Sequence, residues 1–82
     1  MGGAGQKTSQ IDAKTRELIA IAVAVTLWCD GCITVHTDAA RKLGAAREEI
    51  AEALGVAVSV NAGAAIVYST RALDAYGASA ET

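Results

Sequence analysis

The sequence predicts an all-helical protein of about four helices, and three observations carry that prediction. The chain contains no proline, so nothing in it forbids long helices. Alanine, the strongest intrinsic helix former, is abundant along its length. The β-branched residues never settle into the sustained apolar–polar alternation that a half-buried strand requires.

Each element can be placed in turn. A first helix is expected over residues 12–28, "DAKTRELIAIAVAVTLW", with Asp12 as its N-cap. From Leu18 onward it is apolar on every side, and such a helix must be enclosed on all faces. A second helix begins in or just after "CDGC", where Asp30 and Gly31 suit the preceding turn. It ends near Leu43, with Gly44 as its C-terminal stop. Its apolar stripe runs through Cys29, Cys32, His36, Ala39, Ala40 and Leu43. A third helix starts around Ala46 without a good N-cap, although Glu48 and Glu49 complement the helix dipole there. Its stripe is Ile50, Ala53, Leu54, Ala57 and Val58. Asn61 and Gly63 can end this helix and open a fourth, or merely kink one long helix. The last helical stretch, to about Tyr76, carries Ala65, Ile66, Ser69, Ala72, Leu73 and Tyr76 on one face.

Composition bounds the function. The 82 residues are 52% hydrophobic with a net charge of −2, which is a globular composition. Seven basic residues scattered among nine acidic ones form no basic stripe, so nucleic acid is not an expected partner. Residues 1–10, "MGGAGQKTSQ", read as a flexible arm without the apolar core of a signal peptide. Residues 11–77 form the helical domain, and residues 78–82 a frayed tail. The longest apolar run, residues 18–27, is too short to span a bilayer. No membrane association is expected, and the cytoplasm is the expected location. In that compartment two cysteines are more often catalytic or metal-binding than a structural bridge. Alanine-rich cores bury little area per residue, and an all-round apolar first helix needs cover. Both facts point to a homo-oligomer.

The reactive residues are concentrated in "WCDGCITVH", which holds both cysteines and the only histidine. Cys29 and Cys32, three apart at a helix start, lie on one side of it and can close a small disulfide ring. The positive end of the helix lowers a thiol pKa there. His36 follows Cys32 by one turn on the same face, where an imidazole suits the task of taking a thiol proton. Cys32 is therefore the better candidate nucleophile and Cys29 its disulfide partner. Competing readings are two inert buried cysteines, a core histidine bonded to a carbonyl, and a metal site. The last has only three ligands in C-x-x-C-x-x-x-H, so Asp30, Asp38 or Glu17 would have to complete it. A thioredoxin fold is excluded, because no strand leads into Cys29. Trp28 either walls an apolar pocket or packs the helix end.

With Glu17 twelve residues before the C-x-x-C and the flanking "TRELIA" and "REEIAEALG" segments, the chain resembles the AhpD-like alkylhydroperoxidases of the carboxymuconolactone decarboxylase family over roughly residues 11–76. The resemblance implies a helical fold assembled as a trimer or hexamer, and a thiol peroxidase activity toward organic hydroperoxides. It implies that Cys32 attacks the peroxide, Cys29 resolves the sulfenic acid, His36 is the base and Glu17 belongs to the relay. No tightly bound cofactor is implied. The reductant would be an external dithiol such as a lipoyl group, or a peroxiredoxin partner. Two departures stand out: Gly31 occupies a position where well-known peroxidases of this kind carry a further histidine, and the short sequence is expected to do without the extra N-terminal helices of the larger members. Thiol–disulfide exchange without a peroxide, and a non-enzymatic helical assembly module, are the alternatives. Helical rise also argues against a direct Glu17–His36 hydrogen bond. Counting from a turn at Trp28, the two residues are offset by roughly 7 Å along antiparallel helices. A bridging water, a bent helix or Glu17 from a neighbouring subunit would then be needed. Otherwise Glu17 would be a surface residue ion-pairing with Lys14 or in the neighbourhood of Arg16.

Overall fold

Asp12 opens the first helix as predicted. In the computed structural model, which describes residues 10–80, α1 spans Ala13–Thr26, α2 spans Asp30–Lys42 and α3 spans Arg47–Ala80. The expected arm at residues 1–10 lies almost wholly outside the described residues. The Asp12 carboxylate accepts the Thr15 backbone N–H at 3.2 Å and the Thr15 hydroxyl at 2.6 Å. The cap thus satisfies one of the donors that a helix start leaves open.

Both inter-helix turns are Schellman motifs, and they differ in one residue. After α2, Gly44 takes φ +92°, its N–H donates to the Arg41 carbonyl at 3.0 Å, and the Ala45 N–H reaches the Ala40 carbonyl at 2.9 Å. After α1, Trp28 takes the same role at φ 58°, donating to the Val25 carbonyl at 3.3 Å while Cys29 donates to the Ala24 carbonyl at 3.0 Å. Helix α1 therefore stops at Thr26, two residues before the expected end, because Trp28 turns the chain back. Glycine adopts this conformation freely; an L-residue with a Cβ gives up about 1–2 kcal/mol to do so. The contrast yields a prediction. A Cβ at Gly44 meets nothing within 4 Å, so Gly44→Ala isolates the backbone term. It is expected to cost about 1–2 kcal/mol, read as a lower midpoint in a denaturant melt with an unchanged slope.

The expectation of about four helices is corrected to three among the described residues. Asn61 and Gly63 do not break the chain: α3 runs through both as a single 34-residue helix. The Asn61 side chain turns back onto its own helix, donating to the Ala57 carbonyl at 2.6 Å, and also donates to Thr26 Oγ1 at 3.0 Å. A residue that often competes with a helix here supports it and ties it to α1. The cost of Gly63, about 1 kcal/mol against alanine, is spread over a long alanine-rich stretch.

Packing is centred on α1. Helices α2 and α3 each pack against it and not against one another. The buried core consists of Ile21, Ala24, Ala40 and Ala57. Leu43, placed on the apolar stripe of α2 by its spacing, follows the last residue of that helix and is 47% exposed. Ile19, Val23 and Leu27 leave one face of α1 open as well. The radius of gyration is 17.8 Å, against about 12 Å for a compact domain of this length. The excess comes from α3, which runs on past the end of α1. Over Arg47–Ala78 that helix is long and apolar enough to cross a membrane by length and composition alone.

Helix α3 begins on a half-built cap. Ala46 has no side-chain acceptor, but Glu49 reaches back to accept its backbone N–H at 2.8 Å. Glu49 also pairs with Lys14 Nζ at 2.9 Å, joining the starts of α1 and α3. The Lys14 ammonium, then the Ala46 N–H, holds the Glu49 carboxyl below the usual carboxylate range. The Thr15 hydroxyl does the same for Asp12, and Lys42 followed by Arg41 does so for Asp38. All three folded values are depressed. Their contribution is therefore fully present above the ordinary carboxylate pKa, about 4, and is lost as pH falls through the lowered folded values. Melting temperature is expected to fall on acidification from about pH 5 to pH 3. The gap between the parent and Glu49→Gln should narrow over the same window; a constant gap would contradict the assignment.

Candidate active site

The site lies where α1 hands over to α2. Cys29 is not merely near the start of α2 but is its N-cap: at φ −96°, ψ 93° its Sγ accepts the Cys32 backbone N–H at 3.4 Å. Sulfur stands where serine, threonine or aspartate usually serves. Cys29 and Cys32 are joined as a disulfide, their Cα atoms 5.3 Å apart. Both are half-buried. Cys32 is the third residue of the helix, so once the bond is reduced both sulfurs sit at its positive end.

His36 lies one turn beyond Cys32 and is half-buried. Its Nδ1 is 2.6 Å from Glu17 Oε1 on α1. A carboxylate offers only lone pairs, so Nδ1–H donates and Nε2 is left as the ring's second nitrogen. The expectation that these two residues are too far apart for a direct bond is corrected. The earlier offset counted α1 to Trp28. Measured from its true end at Thr26, Glu17 lies about 13.5 Å back and His36 about 9 Å beyond Asp30, an offset of about 4.5 Å. An extended glutamate side chain spans that. No bridging water or neighbouring subunit is required. Lys14, one of the expected surface partners of Glu17, pairs with Glu49 instead.

Asp38 pairs with Arg41 at 3.1 Å and Lys42 at 3.0 Å near the C-terminus of α2. Among the described residues no group of three His, Cys, Asp or Glu side chains is arranged to hold a metal ion. Gly31 is exposed, and a Cβ there would meet nothing within 4 Å, so packing does not demand glycine at that position. Trp28, next to Cys29, is 87% exposed. It walls an open groove of about 490 Å³ with Val25 and Thr26 from α1 and Val58, Asn61 and Ala62 from α3.

The sequence reading brought Cys29, Cys32 and His36 together on one face of α2, and α1 supplies Glu17. It missed two features: the capping role of Cys29 and the left-handed conformation of Trp28. Neither leaves a signal in residue type, since cysteine is an uncommon cap and tryptophan an uncommon residue at positive φ.

A family model described as the carboxymuconolactone decarboxylase family matches residues 1–75. The chain belongs to the carboxymuconolactone decarboxylase family. This membership agrees with the resemblance drawn from the motif. Within the curated proteins, this member of the family is 54% identical over 76 residues to an uncharacterized protein of Haemophilus influenzae, covering 93% of this chain and 67% of the other. It is 44% identical over 63 residues to "Uncharacterized protein 4 in cox locus" of Paracoccus denitrificans, covering 77% of this chain and 57% of that one. An uncharacterized protein of Cupriavidus necator is 36% identical over 70 residues, covering 85% and 62% respectively. The chain thus spans 57–67% of the length of the curated relatives it matches.

Proposed function

We propose that this protein is a thiol-dependent peroxidase that reduces organic hydroperoxides through a Cys29–Cys32 dithiol–disulfide cycle. The observation that carries the reading is the Glu17–His36 pair at 2.6 Å, one helical turn beyond Cys32 and on the face that carries the disulfide. A half-buried histidine held by a carboxylate beside a helix-start cysteine pair is the arrangement that activates a thiol.

The reaction balances on these groups. His36 takes the Cys32 thiol proton through Nε2, with Glu17 holding the ring. The Cys32 thiolate attacks the distal peroxide oxygen, the O–O bond breaks, and the alkoxide leaves as the alcohol with that proton. The resulting Cys32 sulfenic acid is attacked by Cys29; the S–S bond forms and water leaves. Two thiols have been oxidised and one peroxide reduced. An external dithiol, of the lipoyl type or presented by a peroxiredoxin partner, returns the disulfide by thiol–disulfide exchange. Such a cycle belongs in a reducing compartment such as the cytoplasm.

A second reading, thiol–disulfide exchange without a peroxide, is favoured by Gly31 in the place of a further histidine. Stopped-flow mixing of the reduced protein with an organic hydroperoxide separates the two. Rapid peroxide-driven disulfide formation supports the peroxidase. A measurable redox couple that ignores peroxide over the same time supports the exchange reading.

A further inference from the structure

We propose that the cleft between the second half of α2 and the start of α3 binds a small amphipathic anion, a monocarboxylate with an apolar body, at a site separate from the cysteine pair. The site does not rest on the peroxidase reading. Arg41, on its wall, lies about 13.5 Å along α2 from Cys32 and about half a turn round the helix from it.

The fold itself makes the cleft. Helices α2 and α3 lie against α1 and not against each other, and a space of about 400 Å³ stays open between them. Thr37 and Arg41 form one wall; Arg47, Ile50 and Leu54 form the other. Ile50 and Leu54 are half-buried and make it apolar, while both arginines are exposed. No carboxylate lines it, although the chain carries nine acidic residues against seven basic ones.

The polar groups of the cleft lack partners within the chain. Among the described residues the Arg47 side chain makes no hydrogen bond or ion pair. Local chemistry does not account for a cation there. In the first turn it opposes the helix dipole. The residues three and four positions on are Ile50 and Ala51, and Glu48 and Glu52 stand about 100° and 140° round the helix from it. Arg41 meets Asp38 at 3.1 Å, but Lys42 takes the same carboxylate at 3.0 Å, so cations remain in excess. The hydroxyls of Thr15, Thr26, Thr34 and Thr70 each bond within the chain. That of Thr37, half-buried on the cleft wall, makes no hydrogen bond among the described residues. A guanidinium meets a carboxylate with two parallel N–H donors, and the Thr37 hydroxyl supplies another. A bare phosphate would leave Ile50 and Leu54 in water, whereas an apolar body covers them. Apolar walls with a few convergent polar groups are the usual makeup of a small-molecule site.

The test is a titration of the full, nitrogen-15-labelled chain with octanoate below its micellar concentration, followed by amide NMR shifts. Saturable shifts are expected at Thr37, Arg41, Arg47 and Leu54, with Cys32 unmoved. Arg47→Gln should raise the dissociation constant at least about tenfold, as loss of a charged hydrogen-bond partner does. Arg47→Lys, which keeps the charge but not the fork, should fall between the two. Without ligand, Arg47→Gln should melt no lower than the parent, because a cation has left the positive end of α3. Its loss of binding is then not a loss of fold. Absence of saturable shifts, or an Arg47→Gln variant that binds octanoate as the parent does, overturns the proposal. Octanol binding as tightly as octanoate overturns it too, since the guanidiniums are then idle. So does inorganic phosphate or acetate binding as tightly, which leaves only a basic surface. Cleft amides that shift with protein concentration and ignore octanoate overturn it in favour of a second copy.

Discussion

Cys32→Ser is expected to abolish peroxide-driven oxidation, a fall on the order of 10³-fold or more, as removal of a covalent nucleophile does. Cys29→Ser should behave differently. It retains Cys32 and the Glu17–His36 pair, so it should consume one equivalent of hydroperoxide and stop at the sulfenic acid, trapped as a dimedone adduct on Cys32. Mass spectrometry of the two variants after a single peroxide addition is the measurement. The structure makes the comparison informative because both cysteines share the positive end of α2: Cys29 caps it through Sγ, and Cys32 occupies its first turn. Helix position alone therefore does not rank them. The ranking comes from His36, four residues beyond Cys32 and seven beyond Cys29. If Cys29→Ser is the inert variant and Cys32→Ser accumulates the adduct, the roles are reversed and the N-cap outweighs the imidazole.

His36→Ala is expected to slow oxidation of the reduced protein by roughly 100-fold at neutral pH, and Glu17→Gln by about tenfold, within the range for loss of a general base and of its orienting partner. Glu17 bonds His36 and is a positioning residue. Its effect should appear in a second readout that a packing role would not move. Alkylation of Cys32 by iodoacetamide, which follows the thiolate population, should slow in parallel in both variants while the melting temperature of Glu17→Gln stays close to that of the parent. The pair is partly exposed, with side chains 36% and 25% accessible, so its loss is expected to weigh more on reactivity than on stability. Equal rates in the parent and Glu17→Gln would leave the 2.6 Å contact as structure alone.

Much of the site was legible from spacing. Cysteines three apart and a histidine four further on share a face of any helix that contains them, and a chain without proline, rich in alanine, leaves little alternative to a helix. Asp12 and Gly44 announce a helix start and stop by residue type, and both do what their chemistry suggests. The misreadings have a common cause. Asn61, Gly63 and Trp28 were judged by local preference, and each was decided by neighbours. Asn61 finds Thr26 across the helix pair, and Trp28 takes a left-handed turn because the hydrogen bonds of Cys29 and Trp28 to the end of α1 hold it there.

The sequence by itself determined the all-helical class, the cysteine pair and the helix face that the pair shares with His36, because these follow from helical period and local backbone chemistry. It could not decide whether Glu17 reaches His36. That depended on α1 ending at Thr26, a shift of two residues that changes the offset between antiparallel helices by a few ångströms, the difference between no contact and a hydrogen bond. Nor could it show that one chain leaves the long helix α3 uncovered, since apolar residues read the same whether a core or a second copy receives them. The physical reason is the same in both cases: local propensity acts over one helical turn, whereas contact between helices depends on where each one starts, stops and finds a surface to lie against.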